Sequence, residues 1–284
     1  MFKQKFFWLL IVLLMVFWGG YRLYSERDIA APGEGQQRVG SEVRELDILA
    51  ERETESGDTD LKLQYLGHAA FLLQVGETRF LMDPYDPNCG YGKLAVEANY
   101  VTISHEHMDH NYIAAAPAAK PIRGLSPDGL GWEEVSLTLG GVDIFTVPTY
   151  HDDAAGKLRG RNAIFVFDTG DIRLVHLGDL GHILSPEQLE KLTPLDVLLM
   201  PVGGHYTIAA PEAWDIIDAL QPNLVVPMHY RTEATHNWPI APLDKFLEGL
   251  DVAVQEQKEP FVPISKDALP QEMEVWIMKV AAPD

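Results

Sequence analysis

Three histidines and an aspartate fall within six positions in "HEHMDH", residues 105 to 110, directly after the apolar run "ANYVTIS". Side chains of an extended chain alternate between faces, so His105, His107 and Asp109 share one face, and a turn after Asp109 swings His110 toward the same space. Four ligand-type side chains at one strand end are useful only if other segments close a cavity around them. The cluster therefore predicts a fold in which several strands finish at a common edge. It also predicts further ligands at those ends.

Candidates for them are present. His151 closes "FTVPTYH", Asp179 closes "LVHLGD" and His229 closes "VVPMH". Each follows an apolar run, and strand ends are where ligand and catalytic sites of layered α/β domains gather. With the first cluster they supply five imidazoles and two carboxylates, enough for two metal ions sharing one bridging carboxylate. Nitrogen and oxygen donors without thiolate suit zinc, the first choice, and also manganese or iron. The single cysteine, Cys89 in "NCGYG", rules out a disulfide framework and a cysteine-rich zinc site.

From Leu61 onward short strands alternate with tight turns. "LKLQYLG", "AAFLLQVG" and "TRFLMDP" read as an opening β-meander. "EVSLTLGGVDIFTVPTYH" reads as a hairpin turning at Gly140 and Gly141, and "AIFVFDTGDIRLVHLGD" as another turning near "DTGD". Helical patterns then interleave with buried strands. "SPEQLEKL" carries Ser185 as N-cap, Pro186 at the first helical position and Gln188 to complete a capping box. "DVLLMPV", "NLVVPMHY" and "MEVWIMKV" read as strands, "PEAWDIIDAL" as a helix from Pro211 and "APLDKFLEGL" as a further helix. Strands apolar on both faces, alternating with amphipathic helices, specify a layered α/β domain over residues 61–284. At 284 residues and 46% hydrophobic content the chain can bury a full-sized core.

Residues 1–24 stand apart. Lys3 and Lys5 precede an apolar stretch from Phe6 to Trp18, about the length of a short membrane span, and the nearest small pair, Ala30 and Ala31, makes a poor cleavage site. Trp8 and Trp18 sit where the interfacial aromatics of a spanning helix lie. An uncleaved signal anchor is expected here, followed by an acidic, flexible linker over residues 25–60. The expected location is membrane-anchored, with the catalytic domain extracytoplasmic. A formal net charge of −20 repels a phosphate backbone, so no nucleic-acid partner is expected.

The stretches "YLGHAAFLLQVGETRFLMDPY", "VTISHEHMDH", "PTYH", "RNAIFVFDTGDIRLVHLGDLGH", "DVLLMPVGGHYT" and "VVPMHY" resemble metallo-β-lactamase-fold hydrolases. Within that superfamily the similarity, over residues 61–284, is closest to the branch of L-ascorbate-6-phosphate lactonase-like proteins. The H-x-H-x-D-H motif is met in full, and the aspartate of the first motif falls on Asp83. The resemblance implies a four-layer αββα sandwich with two divalent metal ions at one edge between the sheets. His105, His107 and His151 would hold one ion, Asp109, His110 and His229 the second, and Asp179 would bridge.

That site would hydrolyse an ester, lactone or phosphodiester in a small-molecule or lipid-like substrate, using a metal-bound hydroxide oriented by Asp109. The competing class is a non-hydrolytic metal- or ligand-binding envelope protein on the same scaffold, against which the intact ligand set argues. Asp83 reads either as a support that accepts from a ligand or loop amide, or as a plain strand-end turn. His68, His182 and His205 lie in glycine-flanked stretches where backbone can approach a substrate. His205 is the first choice for general acid, with Tyr206 beside it as a second donor and His182 as runner-up. His176 reads as a packed histidine and His236 as a surface one.

Overall fold

The period-two pattern of the first strands builds two cores at once, one on each face of a sheet. The computed structural model describes residues 61–281. Its strands in chain order are β1 (Leu61–Gly67), β2 (Ala70–Val75), β3 (Thr78–Met82), β4 (Tyr100–Ile103), β5 (Lys120–Arg123), β6 (Ser136–Leu139) and β7 (Val142–Tyr150). There follow β8 (Arg161–Asp168), β9 (Arg173–His176), β10 (Val197–Pro201), β11 (Leu224–Met228), β12 (Ala253–Gln257), β13 (Val262–Ile264) and β14 (Glu274–Met278). The helices are α1 (Pro186–Leu192), α2 (Ala210–Leu220) and α3 (Asp244–Leu247).

One sheet has the order β13-β1-β2-β3-β4-β5 and the other β12-β14-β11-β10-β9-β8-β7-β6. In the first, β1, β3 and β4 run the same way, because β2 is antiparallel to β1 and to β3 while β4 is parallel to β3. In the second, β7, β9, β10 and β11 share a direction by the same reasoning.

Phe71, Leu73, Phe80 and Met82 point into the core between the sheets, which Phe165 and Phe167 of β8 join from the second sheet. The rings of Phe80 and Phe167 meet edge to face at 5.6 Å. Ala70, Leu72 and Leu81 point the other way, onto Tyr85, Cys89, Leu94 and Ala115. That outer face is covered by loop and by short 3-10 turns at Pro87–Cys89 and Ile113–Ala115. All of β10 and β11 is buried, and Ala213, Ile216, Ile217 and Leu220 of α2 join the main core. Among the described residues, then, α-helix contributes to the main core, while the expected helical layer over the first sheet is irregular.

The capping box forms as the sequence predicts: Ser185 Oγ accepts from the Gln188 amide at 3.3 Å, and Gln188 Oε1 accepts from the Ser185 amide at 2.9 Å. Gln188 also donates to the Pro148 carbonyl at 2.7 Å, which fastens α1 to β7. Helix α2 begins at Ala210, one residue before Pro211. Helix α3 is only four residues long, bounded by Pro242 before it and Gly249 at φ +77° after it. Three strands are not evident in the sequence. β5 carries Lys120 and Pro121, β12 is exposed at four of five positions, and β13 has three residues.

Among the described residues no helix is long and apolar enough to cross a membrane. The anchor expected over residues 1–24 and the linker over 25–60 lie outside the described residues.

Phe165 of β8 is 1% exposed at the centre of the sandwich. Phe165→Ala should destabilise the domain by about 3–5 kcal/mol, against about 1 kcal/mol for loss of the N-cap in Ser185→Ala. Urea midpoints at unchanged m-value measure both, and equal losses would show that β8 does not sit at the packing centre.

Candidate metal centre

Six strands that run alike within their sheets each deliver one side chain to the same region, within three residues of the strand end. His68 follows β1, Asp83 follows β3, His105 follows β4, His151 follows β7, Asp179 follows β9 and His229 follows β11. Three of these, His68, Asp83 and His229, have φ of 55°, 41° and 52°. That left-handed conformation is costly for a side-chain-bearing residue and turns the chain sharply at the strand end. Gly181 and Gly203 allow the neighbouring loops to pass close by. A Cβ on Gly181 would lie 2.3 Å from the carbonyl carbon of His151, and one on Gly203 would lie 2.1 Å from the His229 carbonyl oxygen.

Asp179, 1% exposed, stands in the middle. Its Oδ2 lies 3.1 Å from His151 Nε2, 3.2 Å from His229 Nε2 and 3.9 Å from His105 Nε2, while Oδ1 lies 3.2 Å from His110 Nε2. On either side are two donor groups whose ligand atoms fall within 4.8 Å of one another: His105, His107 and His151, and His68, Asp109, His110 and His229.

Hydrogen bonds fix which ring nitrogen faces the centre. Ser104 Oγ donates to Asp83 Oδ2 at 2.5 Å, so it accepts from His105 Nδ1–H at 2.9 Å and leaves the Nε2 lone pair free. His110 Nδ1–H donates to Asp83 Oδ2 at 2.9 Å with the same result. His105 Nε2, His110 Nε2, both nitrogens of His229 and Asp179 Oδ1 are buried without a hydrogen-bond partner among the described residues. Buried lone pairs gathered around a carboxylate are costly unless a cation takes them up. The donor set fits divalent metal, and Asp83, Ser104 and His68 are the groups that orient it.

The titration properties agree. Burial, then neighbouring His110, holds His105 well below the ordinary imidazole value, and burial lowers His107. Burial and His229 bring His68 down to about 4. His110 differs: burial lowers it, but the Asp179 and Asp109 carboxylates outweigh burial and push it up. Burial would raise Asp109, yet His110 and the 3.1 Å His68 hydrogen bond hold its carboxyl well below the usual range. Burial thus favours the neutral, metal-binding form at His68, His105 and His107, and the surrounding imidazoles favour the ionised form of Asp109 and Asp179.

The groups open onto a cavity of about 480 Å³ lined by His107, Asp109, His151 and Asp179, with Arg159, Tyr206 and Trp238 among the other walls. Cys89 lines it too, its thiol pushed up to about 11 by burial, so no thiolate is offered there. His205, expected as general acid, is exposed and is not among the residues lining this cavity; its neighbour Tyr206 is. His182 is engaged at both ring nitrogens, accepting from the Tyr150 amide at 3.1 Å and donating to the Ile183 carbonyl at 2.8 Å. It is not among the residues lining this cavity. His68, expected to approach substrate, is fully buried and bonded to Asp109 instead. His176 spans Ala69 and Gly178 as a packed residue. Ser104 and Arg159 were not singled out by sequence. Ser104 directly precedes His105, which could have drawn attention to it; Arg159 sits in a polar loop with no pattern to mark it.

The family described as "Beta-lactamase superfamily domain" matches residues 62–229. A UPF0173 metal-dependent hydrolase of Thermococcus onnurineus is 32% identical over 201 residues, covering 63% of this chain and 86% of the relative. One from Carboxydothermus hydrogenoformans is 30% identical over 207 residues, covering 65% and 88%. The chain belongs to the UPF0173 metal-dependent hydrolase family of the β-lactamase superfamily. A crystal structure from Thermotoga maritima, assigned to the metallo-β-lactamase superfamily, is similar with a TM-score of 0.59 at 33% identity, over 77% of this chain and 98% of that one.

The membrane-anchored, extracytoplasmic location expected from the sequence is corrected. The Thermococcus onnurineus and Thermus thermophilus hydrolases are matched over 86% and 84% of their lengths. Among the described residues no helix can cross a membrane.

Asp179→Ala should lower metal content after dialysis, because that carboxylate faces both donor groups, whereas Gly181→Ala should chiefly disturb the group containing His151. Elemental analysis checks this, and unchanged metal in Asp179→Ala would remove the bridging assignment.

Proposed function

We propose that this UPF0173 member is a dinuclear hydrolase of a small-molecule ester, lactone or phosphodiester. The observation that carries the reading is the buried Asp179 carboxylate between two donor groups at the floor of a cavity sized for a metabolite. His105, His107 and His151 would hold one divalent ion, and Asp109, His110 and His229 the other, with Asp179 common to both. When bound, such ions supply Lewis acidity and a water acidic enough to attack near neutral pH. Zinc suits these donors best, and manganese or iron fit them also.

The chain's own residues do the rest. Asp109 lines the cavity with its side chain 18% exposed, and with one oxygen held by His68 its other oxygen is free to orient an incoming water. A leaving group needs a proton, and Tyr206 is the wall residue with a hydroxyl to give. This replaces His205 in the role. The lactone option keeps the resemblance to L-ascorbate-6-phosphate lactonase-like proteins among the substrates to be tested.

The test is a screen of the full chain, loaded in turn with zinc, manganese and iron, against lactone, phosphodiester, thioester and β-lactam panels. Turnover of one panel should be lost on chelation and restored by the metal. No turnover with any metal-replete protein would overturn the reading. On a confirmed substrate, Tyr206→Phe should lower kcat by about 100-fold or more with metal content unchanged, and His205→Ala should leave kcat near that of the unaltered chain. Chelation should also lower Tm reversibly, because the donor set then loses the cation it surrounds.

A further inference from the structure

The loop that follows β7 is organised by one carboxylate. Asp152, buried next to His151, accepts backbone N–H bonds from Ala154 and Gly156 on Oδ1 at 2.8 and 2.9 Å, and from Leu158 and Arg159 on Oδ2 at 2.9 and 2.7 Å. Four amides on one side chain fix the path of an otherwise irregular segment. The path ends with Arg159 on the wall of the metal cavity. The guanidinium stands 5.7 Å from the centre of the Tyr206 ring. No carboxylate among the described residues lies within ion-pair distance of it, although Asp109 and Asp179 line the same cavity. Among the described residues lining that cavity, Arg159 is the one lysine or arginine.

An unpaired arginine on a loop held by Asp152, beside the candidate metal donors, in a chain with 42 acidic and 22 basic residues, selects by charge. Arginine holds carboxylate and phosphate through a rigid two-pronged donor face. The lining also carries apolar side chains. Trp238 and Pro239 line the cavity, with Met108 and Leu158 at 53% and 69% exposure among its walls. We infer that Arg159 is a specificity-determining residue, and that the substrate carries an anionic group, carboxylate or phosphate, seated on Arg159 and an apolar body against Trp238 and Met108. The inference rests on the hydrolase reading for its reacting bond, but not for its binding.

The experiment is calorimetric titration of the metal-loaded full chain with three inert probes: 4-phenylbutyrate, 3-phenylpropylphosphonate and the neutral 4-phenylbutanamide. A charge-assisted contact of this kind predicts the anions to bind about 10- to 100-fold more tightly than the amide. Preference for the carboxylate or the phosphonate identifies which anion the site takes. In Arg159→Gln the anions should fall to the affinity of the amide, and Arg159→Lys should keep part of the preference, with metal content unchanged in both. The loop itself is held by Asp152 through backbone amides, so neither variant removes its support. Equal binding of anions and amide by the unaltered chain would overturn the inference, as would an anion preference that survives Arg159→Gln, since the metals would then be taking the anion. Anion binding through Arg159 in a chain that turns over nothing would sink the hydrolase reading and leave this one standing; turnover without anion preference would do the reverse.

Discussion

The structure depends on a carboxylate that it buries. Asp179 leaves water at the end of β9 and is met by four imidazoles, His105 and His110 from the first sheet's side and His151 and His229 from the second. A lone ionised carboxylate in such a place would be too costly to keep, so its surroundings must compensate it from every direction. Asn162 of β8 fixes it from behind: its Oδ1 accepts from the Asp179 amide at 3.0 Å, while its amide group donates to Thr149 and to the Leu177 carbonyl. Three neighbouring strands of the second sheet are thereby held around one charge.

Around that centre the same logic recurs in pairs. Asp83 and Ser104 set the rings of His110 and His105, and His68 sets Asp109. Asp83 and His68 thereby tie the ends of β3 and β1 to the turn that follows β4. The backbone at His68, Asp83 and His229 is left in a conformation these residues do not prefer. Strain gathered at a site and balanced by packing elsewhere is the usual compromise between stability and function.

Much of this was legible from local pattern. Alternating apolar runs gave β1 to β4 and the two hairpins, because each strand of the main core shows its faces in its own residues. The spacing in "HEHMDH" and the histidines or aspartate closing three later strands revealed most of the donor set, since ligand chemistry demands particular residue types at strand ends. What stayed hidden was set by partners distant in sequence. β5, β12 and β13 are short, polar or proline-bearing edge pieces whose pairing is decided by the strand they meet. His205 and Tyr206 look interchangeable as letters, yet the backbone at His205, with φ 59°, accompanies an exposed side chain beside a neighbour that reaches the cavity. His68 and Arg159 likewise take their roles from a carboxylate and a loop that no spacing rule connects to them.

The strand at the outer edge of β1 follows every donor of the site in sequence. β13 pairs Val262, Pro263 and Ile264 with Leu63, Lys62 and Leu61, across some two hundred positions of chain. During synthesis every donor through His229 emerges before Val262, so the first sheet gains its β13 ladder only after the whole donor set is out. Contacts of such separation form slowly and leave edges unprotected in the meantime. The sheet that carries His68 and Asp83 is therefore sealed by a segment that lies beyond every donor: truncation upstream of Val262 would leave the donors intact and that edge of β1 unpaired.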